Sequence, residues 1–422
     1  MRIQHIRQRL RDLGAVPCHE GRVLRAWAQG LSLDTKRRRA ENFLPLALRD
    51  ALPGLTAELR GLVRLHSEHP GEDGSARLLV ELADGQTVES VLLPREGLCV
   101  STQVGCAVGC VFCMTGRNGL LRQLGSAEIV AQVVLARSLR AVKKVVFMGM
   151  GEPAHNLDNV LEAIDLLGTE GGIGHKNLVF STVGDRRVFE RLSQATVKPA
   201  LAISLHTTDA ALRRRLLPKA PDITPTELVE LGEAYARSTG YPIQYQWTLL
   251  EGINDTDAEL EGIASLLAGK YAIMNLIPYN TVDSFDYRRP SWERAAEMAR
   301  SLHGHGILTT LRHSAGQDVE GGCGQLRART LVEAEGIERS PEEAAGGFRG
   351  FSLHGVTTQV ETVMLKITTT PVLSPCKGEG EKRRHLSSYC TACYKMCGME
   401  SNESCALSGT PGLRFASSRL RD

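Results

Sequence analysis

Cysteines are where this sequence first suggests chemistry. There are 11 of them in 422 residues, and they are not scattered. Cys106, Cys110 and Cys113 form a C-x3-C-x2-C run, Cys99 stands just before it, and Cys323 sits alone in a Gly-Gly-Cys-Gly turn. Cys376, Cys390, Cys393, Cys397 and Cys405 lie near the end of the chain, and Cys18 stands alone near its start, where it reads as structural. Three thiols within one short segment are metal ligands more readily than core fillers. A cubane [4Fe–4S] cluster normally takes four thiolates, so three leave one iron open to a non-protein ligand. Structural zinc is the rival, but it prefers closed sets of four with paired C-x2-C units, and no fourth ligand follows Cys113 at ordinary spacing. The C-x2-C-x3-C run at Cys390, Cys393 and Cys397 imitates a second metal site. An auxiliary cluster, a zinc knuckle and an addition without function are all readings of it, and its poor core composition favours the last or a weak zinc site.

Composition narrows the setting. Hydrophobic residues make up 42% and charged residues 23%, which excludes wholesale disorder. The net charge is only +2, so any nucleic-acid surface is a local patch, with Lys36–Arg39 and Arg213–Arg215 as candidate phosphate contacts. No apolar run approaches the ~18 residues that would span a bilayer, and MRIQHIRQRLRD does not read as a signal peptide. A cytoplasmic location is therefore expected, where thiols stay reduced.

The elements that must position these residues follow from periodicity. Residues 1–75 read as a helical, partly basic N-terminal region. A β-hairpin signal comes next: RLLVEL, the turn Ala83-Asp84-Gly85, then TVESVLL. From Leu98 onward the apolar runs KKVVFMG, NLVFST, PALAIS, PIQYQWTLL, AIMNLIP and ILTTLRH alternate with helical stretches such as SAEIVAQVVLARSLR and TELVELGEAYARS. That alternation predicts an α/β core over residues 76–335, with a parallel sheet that is either open or barrel-like. Residues 345–422 read as a Cys-containing, largely irregular extension.

Several motifs carry a resemblance. C-x3-C-x-aromatic-C, with Phe112 as the aromatic, resembles the hallmark of radical S-adenosylmethionine (SAM) enzymes, and Gly149-Met150-Gly151-Glu152-Pro153 resembles their second motif. CVSTQVGCAVGCVFCMTG, FMGMGEP, FSTVG, AISLH, NLIPYN and GGCGQL, in order over roughly residues 77–330, together resemble the RlmN/Cfr family of RNA methyltransferases. The resemblance implies a partial (βα)6 radical SAM barrel, with a small N-terminal helical domain and a β-hairpin entering the barrel. It implies one [4Fe–4S] cluster on Cys106, Cys110 and Cys113, with SAM on the open iron. Further SAM contacts would come from Gly151, Glu152, Ser181, Ser204, Leu205, His206 and Asn280. Taken alone, His206 reads as a satisfied core histidine.

The chemistry implied is methylation of an sp2 ring carbon of adenosine, C2 ahead of C8, in 23S ribosomal RNA and also in tRNA. Such a carbon has no lone pair with which to attack a methyl group, hence the radical route. Cys323 would carry the methyl group as S-methylcysteine, and a 5′-deoxyadenosyl radical would activate it for addition to the ring. Cys99 would resolve the resulting enzyme–RNA adduct by forming a disulfide with Cys323. Glu89 matches the proton acceptor, and Glu96 is the alternative. An electron donor such as flavodoxin or ferredoxin is implied, with a monomeric enzyme and no membrane. Two other readings remain open: a radical SAM enzyme of another reaction class, and a non-catalytic zinc- and RNA-binding protein.

Overall fold

The sheet that carries the cysteine run is parallel for most of its width and antiparallel at one edge. The computed structural model describes residues 1–34, 39–280, 285–312 and 324–327. Cys323, the tail cysteines and Lys36–Arg38 lie outside the described residues. Strands β1 (Val63–Pro70), β2 (Ala76–Leu82), β3 (Thr87–Leu93) and β4 (Gly97–Cys99) pair antiparallel in that order. From β4 onward the pairing is parallel, through β7 (Lys144–Phe147), β8 (Leu178–Thr182), β9 (Ala200–Ser204), β10 (Ile243–Leu249), β11 (Ala272–Pro278) and β12 (Leu308–Leu311). The order β1-β2-β3-β4-β7-β8-β9-β10-β11-β12 leaves β1 and β12 as edges, so the sheet is open. A separate pair, β5 (Gln103–Gly105) with β6 (Leu120–Gln123), brackets the cysteine run.

Helices follow the strands: α4 (Ser126–Leu139), α5 (Leu157–Thr169), α6 (Arg186–Gln194), α7 (Ala210–Leu216), α8 (Pro225–Thr239), α9 (Asp257–Leu267) and α10 (Trp292–Gly304). The starts of α6 to α10 are set by side-chain caps: Asp185, Asp209, Thr224, Thr256 and Ser291 each accept from a backbone N–H of the first turn. Strands β7, β8 and β9 are mostly buried on both faces and read as apolar runs, whereas β10 alternates Ile243, Tyr245, Trp247 and Leu249 with polar Gln244, Gln246 and Thr248.

The N-terminal helices α1 (Ile3–Asp12), α2 (Pro17–Gln29) and α3 (Leu46–Gly61) share the hydrophobic core of the sheet layer. Helix α1 buries Ile3, Ile6 and Leu10, one stripe at helical spacing, while Ser126 Oγ accepts from Ile3 N at 2.8 Å. Strand β1 falls inside the segment expected to be helical. VRLHSEHP alternates in burial, but polar residues occupy both of its faces, so the alternation is nearly invisible as hydrophobicity. Helices α6, α7 and α9 stand where the alternation places helices but were not singled out, and the β5–β6 pair was not expected. They are short, or bury three apolar side chains or fewer each.

One side chain braces the antiparallel edge to the first helix of the parallel layer. Gln132 of α4 is 1% exposed. Its Oε1 accepts from Ser90 Oγ and from Ser101 N, both at 2.9 Å, and its Nε2 donates to Ser101 O at 3.0 Å. Replacing it with methionine keeps the volume but strands these buried groups without partners. Each costs about 1–3 kcal/mol. Gln132→Met is expected to lower unfolding stability by about 3 kcal/mol in denaturant titration; a loss below about 0.5 kcal/mol would show that the brace contributes nothing.

Candidate functional site

Parallel sheets place their chemistry beyond the carboxyl ends of their strands, and the motif residues collect there. Strand pairing sets Arg77, Val91, Cys99, Val146, Val179 and Ala200 in one row across six strands, all on one face. Period-two alternation puts Glu89, Ser181 and Ser204 on that same face, further toward the carboxyl ends.

Glu89 is 2% exposed, not the solvated side chain that a lone hairpin glutamate suggests. Its Oε2 accepts from Arg77 Nη1 at 3.0 Å, and Arg77 is itself 2% exposed. Its Oε1 accepts from the backbone N–H of Arg327 at 2.9 Å, while Arg327 Nε donates to Thr87 O at 2.8 Å. The short segment 324–327 is thus bound to β3. Its other end rests on the cysteine loop, since a Cβ on Gly324, where φ is +87°, would come within 2.8 Å of Thr115 N. Glu96 lies elsewhere: it precedes β4, is 42% exposed and pairs with Lys143 at 2.8 Å, at the opposite end of the strand.

Cys99 is buried, and burial pushes its thiol up to about 12; nearby Glu89 adds to the rise while Arg77 opposes it. Cys18, read as structural, is exposed near the start of α2 and packs into no core.

The loop of Cys106, Cys110 and Cys113 packs with Val108, Phe112, Val183, Leu216, Leu217 and Tyr279. Backbone bonds hold it in place, from Cys106 N to Gly119 O at 3.0 Å and from Val111 N to Leu216 O at 3.1 Å. Burial pushes Cys106 up to about 12, and Glu152 and Cys113 push it the same way. Cys110 is raised well above its ordinary value by burial, then by Cys113, Cys106 and Glu152. Among the described residues, no three Cys, His, Asp or Glu side chains converge on one point suited to a single metal ion.

The GMGEP loop is hydrogen-bonded to the strand that leads into the cysteines. Thr102 N donates to Met150 O at 2.8 Å, and Glu152 N donates to Gln103 Oε1 at 2.7 Å. Gly151 has φ +104°, and a Cβ there would sit 2.6 Å from Gln103, so only glycine fits. The Glu152 carboxylate accepts from Ala154 N and Val183 N, each at 3.0 Å. No cation pairs with it among the described residues, and burial raises it to about 7.

His206 has φ +63° and is 5% exposed, and its Nδ1 accepts from Thr248 N at 2.9 Å. Burial, aided by Arg213, lowers it to about 3, so the ring is neutral. Phe112 meets it edge-on, with ring centroids 4.9 Å apart. Leu205 is fully buried, and Asn280 beyond β11 accepts from Arg289 at 2.9 Å.

Two residues escaped sequence reasoning. Arg77 stands between Ala76 and the apolar run Leu78-Leu79-Val80, the one available signal for an inward charge. Arg213 was grouped with Arg214 and Arg215 as a basic patch, but it is 4% exposed, while Arg214 is 66% exposed and faces Asp222 at 3.5 Å. Arg213 donates to Val183 O and to Ser204 O. Of the 36–39 patch, only Arg39 is described, and it is exposed.

Comparison with known proteins agrees with this arrangement. Residues 100–265 match the family model of the radical SAM superfamily. A "Probable RNA methyltransferase" of Thiobacillus denitrificans is 78% identical over 345 residues, covering 82% of this chain and 95% of that protein. A relative of the same description from Pseudomonas aeruginosa is 73% identical over 331 residues, covering 78% of this chain and 96% of that protein. The crystal structure of a radical SAM methyltransferase from Sphaerobacter thermophilus superposes with a TM-score of 0.66 at 33% identity, covering 77% of this chain and 97% of that one. No helix among the described residues is long and apolar enough to cross a membrane.

The raised Glu152 carboxyl makes a pH prediction for the protein without metal or ligand. Its folded value, about 7, lies above the ordinary 4.5, so the folded state holds the proton more tightly than the unfolded chain. The stability this supplies is complete below about pH 4.5 and is lost as pH rises through about 7, by about 3 kcal/mol in all. Glu152→Gln removes that dependence. The stability of the parent relative to Glu152→Gln should therefore fall between pH 5 and pH 8 in chemical denaturation, and parallel profiles would show that Glu152 is not desolvated.

Proposed function

Since the chain belongs to the family of radical SAM RNA methyltransferases, enzymes that use a [4Fe–4S] cluster and SAM, we propose that it methylates an sp2 ring carbon of adenosine through Cys323, Cys99 and Glu89. C2 is the position proposed, with ribosomal RNA, 23S rRNA in particular, as the substrate class and tRNA adenosines as further targets. One observation carries the reading. The buried Glu89 carboxylate, on the same sheet face as Cys99, is bonded to the backbone of Arg327, four residues after Cys323.

The residues present fit the cofactors. Three mutually sensed thiols form the donor set, Gly151 leaves space where any side chain would collide, and Glu152 is a desolvated carboxylate with no cation of its own. Cys106, Cys110 and Cys113 would hold the cluster. Glu152 and the backbone at Gly151 would receive the SAM ammonium, whose charge would draw the carboxyl back to its ionised form. Ser181, Ser204, Leu205, His206 and Asn280 line the same strand ends. Bound together, cluster and SAM supply a 5′-deoxyadenosyl radical.

The protein's own groups then have separate tasks. The Cys323 sulfur takes a methyl group from SAM by attack at the methyl carbon, with S-adenosylhomocysteine leaving, and Cys323 afterwards holds the carbon that bridges to the ring. Glu89 takes the ring proton: it is buried, and the Arg77 guanidinium and the Arg327 backbone N–H fix its direction. Cys99 attacks the Cys323 sulfur, releasing the methylated base and leaving a disulfide for external thiols to reduce. A buried Cys99 with a raised thiol stays protonated and inert until this step. An exposed carboxylate salt-bridged to lysine, as Glu96 is, has no access to such a reaction.

Anaerobic reconstitution with iron and sulfide should yield about four irons per chain, and alanine at Cys106, Cys110 or Cys113 should abolish this. Bound zinc without iron would overturn the assignment. After incubation with SAM, mass spectrometry of the Cys323 peptide should show S-methylcysteine; its absence in a reconstituted enzyme would reject the methyl relay.

A second experiment addresses the resolving step. Cys99→Ala should retain cluster and S-methylcysteine, yet accumulate a covalent protein–RNA adduct, with turnover reduced by at least 100-fold, on the order expected for loss of one essential chemical group. Turnover without adduct would remove Cys99 from the mechanism. Digestion of the adduct identifies the adenosine and its modified carbon.

A further inference from the structure

Arg213 is the buried cation that no step above uses. It lies in α7, between the cluster loop and the strand ends, and is 4% exposed, unlike its neighbours Arg214 and Arg215, which face solvent. Its Nη2 is tied to two backbone carbonyls, Val183 O just past β8 and Ser204 O at the end of β9. Its Nε is buried and has no hydrogen-bond partner. No salt bridge to it is present among the described residues, although the buried Glu152 carboxyl is close enough to act on it through the field. Stripping a guanidinium of water without a counter-ion is costly, so the arrangement calls for negative charge to be supplied nearby.

The cluster loop is what lies nearby. Helix α7 and the turn after it bond to that loop on both sides of Cys110: Val111 N donates to Leu216 O at 3.1 Å, and Lys219 N donates to Val108 O at 3.2 Å. The two charges that Arg213 feels are Cys110 and Glu152. Three thiolates around a cubane give it net negative charge, and one more electron adds to that charge. A fixed cation in a low-dielectric setting therefore favours the reduced form over the oxidised form.

We propose that Arg213 is the counter-ion of the [4Fe–4S] cluster: a positioning residue whose fixed positive charge raises the cluster's reduction potential and helps to retain the cluster. It acts through Cys110 and the field at the site, not by contact with RNA. The inference rests on Cys106, Cys110 and Cys113 holding the cluster. The electron that reduces the cluster comes from an external one-electron donor of the flavodoxin or ferredoxin class, replaced in the test by dithionite.

The test compares the parent enzyme with Arg213→Gln, Arg213→Lys and Arg214→Gln, all reconstituted anaerobically, by iron content and by dye-mediated redox titration read by electron paramagnetic resonance. Arg213→Gln should hold about four irons yet show at least a tenfold lower reduced-to-oxidised ratio at fixed potential. That is a midpoint about 59 mV more negative for one electron. Arg213→Lys should recover most of the shift, and Arg214→Gln should show none. A parent-like midpoint in Arg213→Gln overturns the proposal, as does an equal shift in Arg214→Gln. If Arg213→Gln folds but loses iron while Arg213→Lys keeps it, the charge is needed for retention, which supports the assignment. If Arg213→Lys also loses iron, the side chain serves only to pack α7, and the proposal fails. Failure of the parent to bind iron would instead reject the cluster assignment itself.

Discussion

Charge that has left water must be compensated, and the carboxyl end of this sheet is organised by that demand. Glu89 meets it with Arg77 and a backbone N–H, which fix the carboxylate in direction. Glu152 meets it only in part: two backbone N–H groups and the Thr182 side chain reach it, Arg213 acts on it without a salt bridge, and burial raises its carboxyl to about 7. Arg213 is the complement, a guanidinium bonded only to carbonyls. The two incompletely compensated charges flank the cysteine loop. A positively charged ligand group and a negatively charged metal centre are what each lacks.

The rest of the fold holds these groups still. Parallel strands bring Ser181, Ser204 and the GMGEP loop to one end, because each crossover returns the chain in the same direction. The antiparallel edge does a different job. Reversing direction through β1, β2 and β3 carries Arg77 and Glu89 to the face and the end where Cys99 emerges. Gln132 then ties that edge to α4, so hairpin and parallel layer are braced together. Segment 324–327, far along the chain, rests on both the hairpin and the cysteine loop. Distant parts of the chain are thereby held against one another by buried polar contacts, which fix direction as well as distance.

Much of this was legible beforehand, and the exceptions share a cause. Strands β7 to β9 were readable as apolar runs, β10 by its alternation of Ile243, Tyr245, Trp247 and Leu249 with polar residues, and the hairpin because Asp84-Gly85 is a favoured turn. Strand β1 was not, since polar residues on both of its faces conceal its period. The cluster motif was unmistakable, because three ligands lie within one loop and their spacing is written in the chain. Choosing between Glu89 and Glu96 was beyond spacing: both precede Cys99 by a few residues, and only strand direction sends one inward and leaves the other facing Lys143. Arg213 was misread for the same reason. Three consecutive arginines look alike as letters, yet on a helix of 3.6 residues per turn they point in different directions.

The sequence by itself determined the chemistry available: three cysteines in one loop, a glycine-rich second motif, an α/β alternation, and two isolated thiols. Those are local properties, carried by residue type and short-range spacing. What the tertiary structure decided is which charges are buried and what each one faces. Arg77 meets Glu89 across a strand pair, Glu89 meets the backbone at Arg327 from the far end of the core, and Arg213 enters the site while Arg214 leaves it. Burial and pairing arise from contacts between separate segments, 12 residues apart for Arg77 and Glu89 and 238 for Glu89 and Arg327, and the desolvation that shifts a carboxyl or a thiol exists only once those segments have excluded water.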